Sequence, residues 1–191
     1  PDVVLKAEHV TKRFGGITAL ENAELELYKG EVHALVGANG AGKSTLIKII
    51  TGAYPKDEGE IYLDGKQIEV KSTFDASEKG ISAVYQEFSL INTVSVAENI
   101  FMGKLLYNNL GPIPRADWKK MHEETQKILD SLGVINIKPE TIVGRLSVAQ
   151  KQMVEIAKAL SNDLKVLIMD EPTASLSDNE IDNMFKIVKD L

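Results

Sequence analysis

No cysteine occurs among the 191 residues, which removes disulfides and thiolate metal ligands from consideration and is compatible with a reducing compartment. No apolar run approaches the roughly 20 residues that a membrane-crossing helix needs, so a membrane role has to come through a partner. The formal net charge is −6 and no cluster of five or six Lys or Arg is present. That argues against a dedicated nucleic-acid binder, because counterion release needs a dense basic face. Arginine is scarce, with only Arg13, Arg115 and Arg145, widely scattered, so the arginine-rich lid of a small-molecule kinase is missing. The first residues, Pro-Asp-Val-Val-Leu, have neither a basic nor an apolar leader region, and no secretory signal is expected there. What remains is the composition of a globular protein, 43% hydrophobic and 26% charged. The length suits one sizeable domain, or a domain with an inserted subdomain.

Two short apolar runs, Val32–Val36 and Val166–Met169, are each followed at once by polar or glycine-rich residues, as buried strands of a parallel sheet are. Between Gln86 and about Ser161 the pattern turns helical, with helices expected near Val96–Met102, Ala116–Leu132 and Val148–Leu160 and no convincing strand. Tyr107–Pro114 reads as a loop on its Asn, Gly and Pro content, and Asp64-Gly65 as a hairpin turn. Ser147 and Gln150 are spaced as a capping box, and Met153, Ile156, Ala157 and Leu160 form one apolar stripe behind it. The expected class is therefore α/β, with a helical insertion.

The most specific motif is Gly37-Ala38-Asn39-Gly40-Ala41-Gly42-Lys43-Ser44-Thr45, a G-x-x-x-x-G-K-[ST] loop between an expected strand and an apolar helix. Its glycines let backbone amides surround a phosphate, Lys43 brings a point charge to the β- and γ-phosphates, and Ser44 offers a hydroxyl to Mg²⁺. Val166–Met169 then ends in Asp170 and Glu171. Asp170 is placed to hold Mg²⁺ through water and Glu171 to orient or deprotonate an attacking water. A guanine-reading Asn-Lys-x-Asp is absent, since Asn179–Asp182 has Glu180 where Lys is needed.

With these motifs, Gln86 after an expected strand, Leu146-Ser147-x-x-Gln150 and Asp-Glu-Pro-Thr, the chain resembles the ATP-binding cassette (ABC) transporter ATPases along essentially its whole length. Tyr85-Gln86-Glu87-Phe88, Glu98–Gly103 and Met153–Ala157 look most like the amino-terminal cassette of monosaccharide (ribose, galactose or xylose type) importers, whose ATPase chains carry two cassettes in tandem. The resemblance implies a P-loop NTPase core with an inserted α-helical subdomain. Residues 1–87 would form the core with its antiparallel β part and Walker A loop, 88–162 the helical subdomain with the signature, and 163–191 the continued core with Walker B and D-loop. It implies ATP and Mg²⁺ as cofactors, with Phe14 stacking on adenine, Gly37 to Thr45 around the phosphates, and Ser44, Gln86 and Asp170 at the metal. Glu171 and Gln86 would be catalytic, and Ser147, Val148, Ala149 and Gln150 would meet the ATP of a second cassette, in the same chain or a homodimer. The expected partners are transmembrane permease subunits and, indirectly, a solute-binding protein, with no nucleic acid. The expected place is the cytoplasmic face of the inner membrane, with the stretch from Gln86 to about Met102 as docking surface.

Two departures from the family pattern stand out. The signature is usually Leu-Ser-Gly-Gly-Gln, and here Val148 and Ala149 replace both glycines. The D-loop usually has Asp where Ser177 stands, and Ser177 with Glu180 reads equally as a capping box. The family's switch histidine is expected beyond Leu191, since His9, His33 and His122 are not placed for it and His33 reads as part of the strand entering the P-loop. The chain is thus expected to be a cassette truncated at its carboxyl end that binds ATP but hydrolyses it poorly alone. Two other classes are weighed: a soluble ABC ATPase working on nucleic acid or ribosomes, disfavoured by the acidic balance and continuous insert, and a regulatory module without turnover, disfavoured by Lys43 and Glu171.

Overall fold

The computed structural model describes residues 2–85, 87–108, 115–171 and 178–190. Gln86, residues 109–114 of the expected Tyr107–Pro114 loop and the 172–177 stretch with Pro172 and Ser177 lie outside the described residues. The chain divides into two compact units, one running to Ala83 and resumed at Asp163–Ile168, the other Val84–Asn162 with Met169–Asp190.

The first unit opens with two twelve-residue strands, β1 (Val3–Phe14) and β2 (Ile17–Tyr28), joined at Gly15-Gly16, both with positive φ as a tight hairpin requires. Along β1, Leu5 and Ala7 are buried while Lys6 and Glu8 pair on the outer face, then the alternation breaks and Val10, Thr11 and Lys12 are all buried. The cause is a bulge. His9 has φ 52°, the register slips between Ala7 and Val10, and Asn22 (φ 47°) compensates on β2, with His9 Nδ1 2.7 Å from Asn22 Oδ1. Lys12, turned inward, donates to Asp57 at 2.8 Å. After α1 (Lys43–Ile50) come β3 (Glu58–Leu63) and β4 (Lys66–Ile68), turning on Asp64-Gly65 as the sequence predicts, with φ 49° and 73°. The sheet order is β2-β1-β3-β4. Gly59 lets β3 pass the bulge: a Cβ there would lie 2.5 Å from the carbonyl oxygens of Glu8 and His9. Leu46, Ile49 and Ile50 of α1 join Leu5, Ala7, Val10, Ile61 and Leu63 of the sheet in one core, which also holds Ala76 of α2 (Thr73–Glu78) and Ile81 of β5 (Ile81–Val84).

In the second unit, α3 (Val96–Ile100) begins in a complete capping box between Ser95 and Glu98 and ends ahead of Gly103, whose positive φ stops it short of the expected Met102. Tyr107–Asn108 (β6) pairs antiparallel with Arg115–Ala116 (β7), so the ends of the expected loop are closed by a small ladder in a region read as free of strands. Two residues carry too little alternation to register as a strand in sequence. Helix α4 (Trp118–Ser131) is capped by Asp117 and buries Met121, Thr125 and Leu129; α5 (Val148–Leu160) has the predicted bounds. α3, α4 and α5 pack on one another. The final helix, α6 (Asp178–Asp190), follows β8 (Val166–Met169), whose bounds also match. The amides of Val166 and Asp170 donate to the carbonyls of Gly80 and Val84, so β5 and β8 run parallel.

Val32–Val36 departs from expectation. It belongs to no strand among the described residues, and Val32 and Val36 are 72% and 88% exposed. His33 is likewise on the surface, 3.5 Å from Glu31, not inside a strand. An apolar run records a tendency to be covered, whereas a strand exists only where a neighbour supplies the ladder, and here β5 and β8 pair with each other.

Candidate functional site

The loop before α1 is shaped by its glycines. Gly40 (φ 81°) and Gly42 (φ 89°) hold left-handed conformations, and the Ala41 amide turns back to the Ala38 carbonyl at 3.1 Å. Gly42 has a second reason to be glycine, because a Cβ would stand 2.7 Å from Leu20 Cδ1 and 3.0 Å from the Ala19 carbonyl. It is also the N-cap of α1 and makes no side-chain cap. The first helical amides, those of Lys43, Ser44 and Thr45, have no carbonyl a turn earlier to meet, and the helix dipole adds positive potential there. Lys43 Nζ donates to the carbonyls of Gly37 and Ala38 at 2.6 and 2.9 Å, so its charge is held inside the loop rather than spread into solvent. Open amides at a helix start beside an ammonium are an arrangement that can hold an anion, and Ser44 is exposed next to them.

Phe14, in the same unit, is 42% exposed rather than in the core. Its ring meets Tyr54 edge-on with centroids 5.3 Å apart, Lys12 Nζ stands 5.3 Å over Phe14, and Lys48 Nζ 5.2 Å over Tyr54. The aromatic is thus propped at the surface with one edge supported. Tyr54 carries no motif, and only its place beside Phe14 marks it.

In the second unit the capping box at α5 is complete: Ser147 Oγ accepts the Gln150 amide at 3.2 Å, and Gln150 Oε1 accepts the Ser147 amide at 2.9 Å. The amides left without an intrahelical partner are those of Val148 and Ala149. The Val148 side chain is 43% exposed. The burial of α5 is wider than a stripe: Ile156 and Ala157 are buried as expected and Met153 and Leu160 only in part, while Gln152, Val154, Glu155 and Ala159 are buried too. At the end of β8, Asp170 is half-buried with its amide on Val84, and Glu171 has φ 49°, a left-handed turn that takes the chain sharply off the strand. Of the expected docking stretch, Leu90, Ile100 and Phe101 are core, while Ile91 and Met102 are exposed.

The profile of the family described as "ABC transporter" matches residues 20–174, from the strand before the P-loop to beyond Glu171. The chain belongs to the ABC transporter family. As an ABC cassette it is 45% identical over 188 residues to the ribose import ATP-binding protein RbsA of Caldanaerobacter subterraneus subsp. tengcongensis, covering 98% of this chain and 37% of that one. It is 44% identical over 190 residues to the galactose/methyl galactoside import ATP-binding protein MglA of Clostridium tetani, covering 100% and 38%. Among solved structures it is similar to MJ1267, an ATP-binding cassette of an ABC transporter in its ADP conformation, with 30% identity, a TM-score of 0.82, and coverage of 98% of this chain and 76% of that one. The fold is that of the ABC ATPases, whose family binds ATP. The chain spans a little over a third of the length of the curated relatives it matches. No helix among the described residues is long and apolar enough to cross a membrane.

Proposed function

We propose that this cassette binds and hydrolyses ATP to drive a membrane importer, with a monosaccharide of the ribose or galactose type as cargo. The observation that carries the ATP reading is the P-loop, where Lys43 sits within a glycine-shaped ring of backbone at an uncapped helix start. The import and sugar readings rest on what the relatives' names say of those relatives.

In this reading Gly37 to Thr45 wrap the phosphates, Lys43 exchanges its two carbonyl acceptors for phosphate oxygens, and Phe14, steadied by Tyr54, offers its face to adenine. The Ser44 hydroxyl and Asp170 carboxylate are hard oxygen donors, the kind Mg²⁺ takes, and Gln86 would complete the set. Mg²⁺ held by these oxygens would supply positive charge to offset that of the phosphates. Glu171 orients the attacking water and accepts its proton. Ser147, Val148, Ala149 and Gln150 serve the ATP of a second cassette, so one cassette holds half of each composite site and the isolated 191-residue chain is expected to bind ATP yet turn it over slowly. Because the exposed Val148 side chain keeps phosphate further from the backbone than glycine would, the site capped by this signature is the weaker of an asymmetric pair. The partners are permease subunits fed by a solute-binding protein, with the cassette peripheral on the cytoplasmic face of the inner membrane.

The test is uptake of labelled pentoses and hexoses into proteoliposomes that hold the full ATPase chain and its permease, with ATP inside the compartment the cassettes face. ATP-dependent accumulation of a monosaccharide is expected. Its absence for every sugar, with ATP still hydrolysed, would overturn the cargo.

A further inference from the structure

Helix α5 buries a carboxylate that none of the nucleotide-facing roles above uses. Glu155 is 5% exposed, between Val154 and Ile156, which are fully buried. A buried carboxylate is costly unless its oxygens are filled by donors. Both are filled from a single residue: Ser89 donates its amide to Oε1 at 2.5 Å and its hydroxyl to Oε2 at 3.1 Å. Ser89 lies three residues past Gln86, at the head of the stretch 89–92.

Glu155 is not alone in holding that stretch. Lys151, Glu155 and Lys158 are spaced four and three apart, along one helix face. Lys158 Nζ donates to the Ser89 hydroxyl at 3.0 Å, and Lys151 Nζ to Asn92 Oδ1 at 3.0 Å. Gly144, just ahead of the signature, donates its amide to the Asn92 carbonyl at 2.9 Å, and a Cβ on it would stand 2.8 Å from that oxygen. From α3, the buried Asn99 amide accepts the Ile91 amide at 2.7 Å and donates to the Ile91 carbonyl at 3.0 Å. Ser89, Ile91 and Asn92 are thus each bound by polar contacts with defined direction, on either side of the buried Leu90.

We infer that Glu155 is a positioning residue that fastens the 89–92 stretch to the signature helix, so that force applied to that stretch by a docked permease reaches Ser147 and the amides of Val148 and Ala149 without slack. The inference rests on the reading of the chain as an importer ATPase. It assigns Glu155 no contact with ATP, so its loss should separate the signal from the chemistry.

The experiment uses the full ATPase chain with its permease in proteoliposomes and reads the ratio of ATP hydrolysis with and without the sugar-loaded binding protein. Glu155→Ala is expected to bring the ratio to near unity with basal turnover unchanged. Glu155→Gln, which still offers an acceptor to the Ser89 amide, is expected to keep most of the ratio. A wild-type ratio in Glu155→Ala, or a loss in Glu155→Gln as complete as in Glu155→Ala, overturns the inference. If Glu155→Ala does not fold, Ser89→Ala, which removes only the hydroxyl, must lower the ratio, and an unchanged value there overturns it too. If the unmodified transporter shows no stimulation, the importer reading itself has failed, an outcome distinguishable because it precedes any substitution.

Discussion

Helix α1 starts after Gly42 with no side-chain cap, while α5 starts after Ser147 with a complete capping box. Both are expected to face phosphate, yet they are finished differently. At α1 the amides are left open and a lysine is folded into the loop, an arrangement that gains its full value only when an anion arrives. At α5 two of the amides near the helix start are already satisfied within the chain, so the helix is stable by itself and offers what is left. Under the proposed function, the first start serves as a receptor and the second as a stable helix that lends its end to a neighbouring cassette.

Five variants, one of them double and one followed against pH, would break or sharpen this contrast. The largest effect is expected from Lys43→Ala, which removes the charge inside the cradle and should lower ATP turnover of the complete transporter by about 10²- to 10³-fold; a wild-type rate would mean the loop is not the phosphate site. Next is Gly42→Ala, which forces a left-handed alanine against Leu20 and the Ala19 carbonyl and should cost about 1–3 kcal/mol, read as a lowered denaturation midpoint of the full chain. Ser147→Ala opens the capping box and should cost about 1 kcal/mol in the same assay, with turnover falling as well because a donor to the partner's ATP is lost. Restoring glycine at both Val148 and Ala149 should move the two readouts in opposite directions: up to ~1 kcal/mol per glycine off helix stability, and faster ATP hydrolysis and transport. Unchanged hydrolysis and transport would remove these side chains from the account.

The last effect, confined to alkaline pH, lies at the other end of α5. Lys104 Nζ reaches the C-capping Ser161 and donates to Asn162 Oδ1 at 2.6 Å, 5.9 Å from the Phe101 ring, and burial, with Lys158 nearby, lowers its pKa from 10.5 to about 8. Between those values the unfolded chain binds the proton and the folded one releases it, so the contribution of Lys104 to stability rises with pH from about 8 to 10.5. Lys104→Met should flatten that part of the stability profile; a profile identical to wild type would refute the burial argument.

Most of the local structure was legible. The ends of α5 and β8, the hairpin at Asp64-Gly65 and the helix after the P-loop all follow from caps, turn residues and apolar spacing acting over a few residues. Val32–Val36 was misread, because its apolarity says nothing about which strand lies beside it. Tyr54 and Glu155 were not legible at all. The partner of Tyr54 is 40 residues away in sequence and that of Glu155 is 66 away, and no local pattern encodes either contact.

The nature of the chemistry was written in the chain order of short motifs, since a phosphate loop needs only consecutive amides, glycines and one lysine, and a capped helix only a Ser and a Gln three apart. Tertiary structure alone decided how those parts are held: which face of β1 turns inward across the His9 bulge, that Phe14 stands at the surface against Tyr54, and that the 89–92 stretch is tied to α5 through a buried carboxylate. The physical reason is range. Backbone conformation and capping are settled between near neighbours, whereas burial, ladder pairing and the filling of a carboxylate's oxygens depend on whatever distant segment the fold brings alongside.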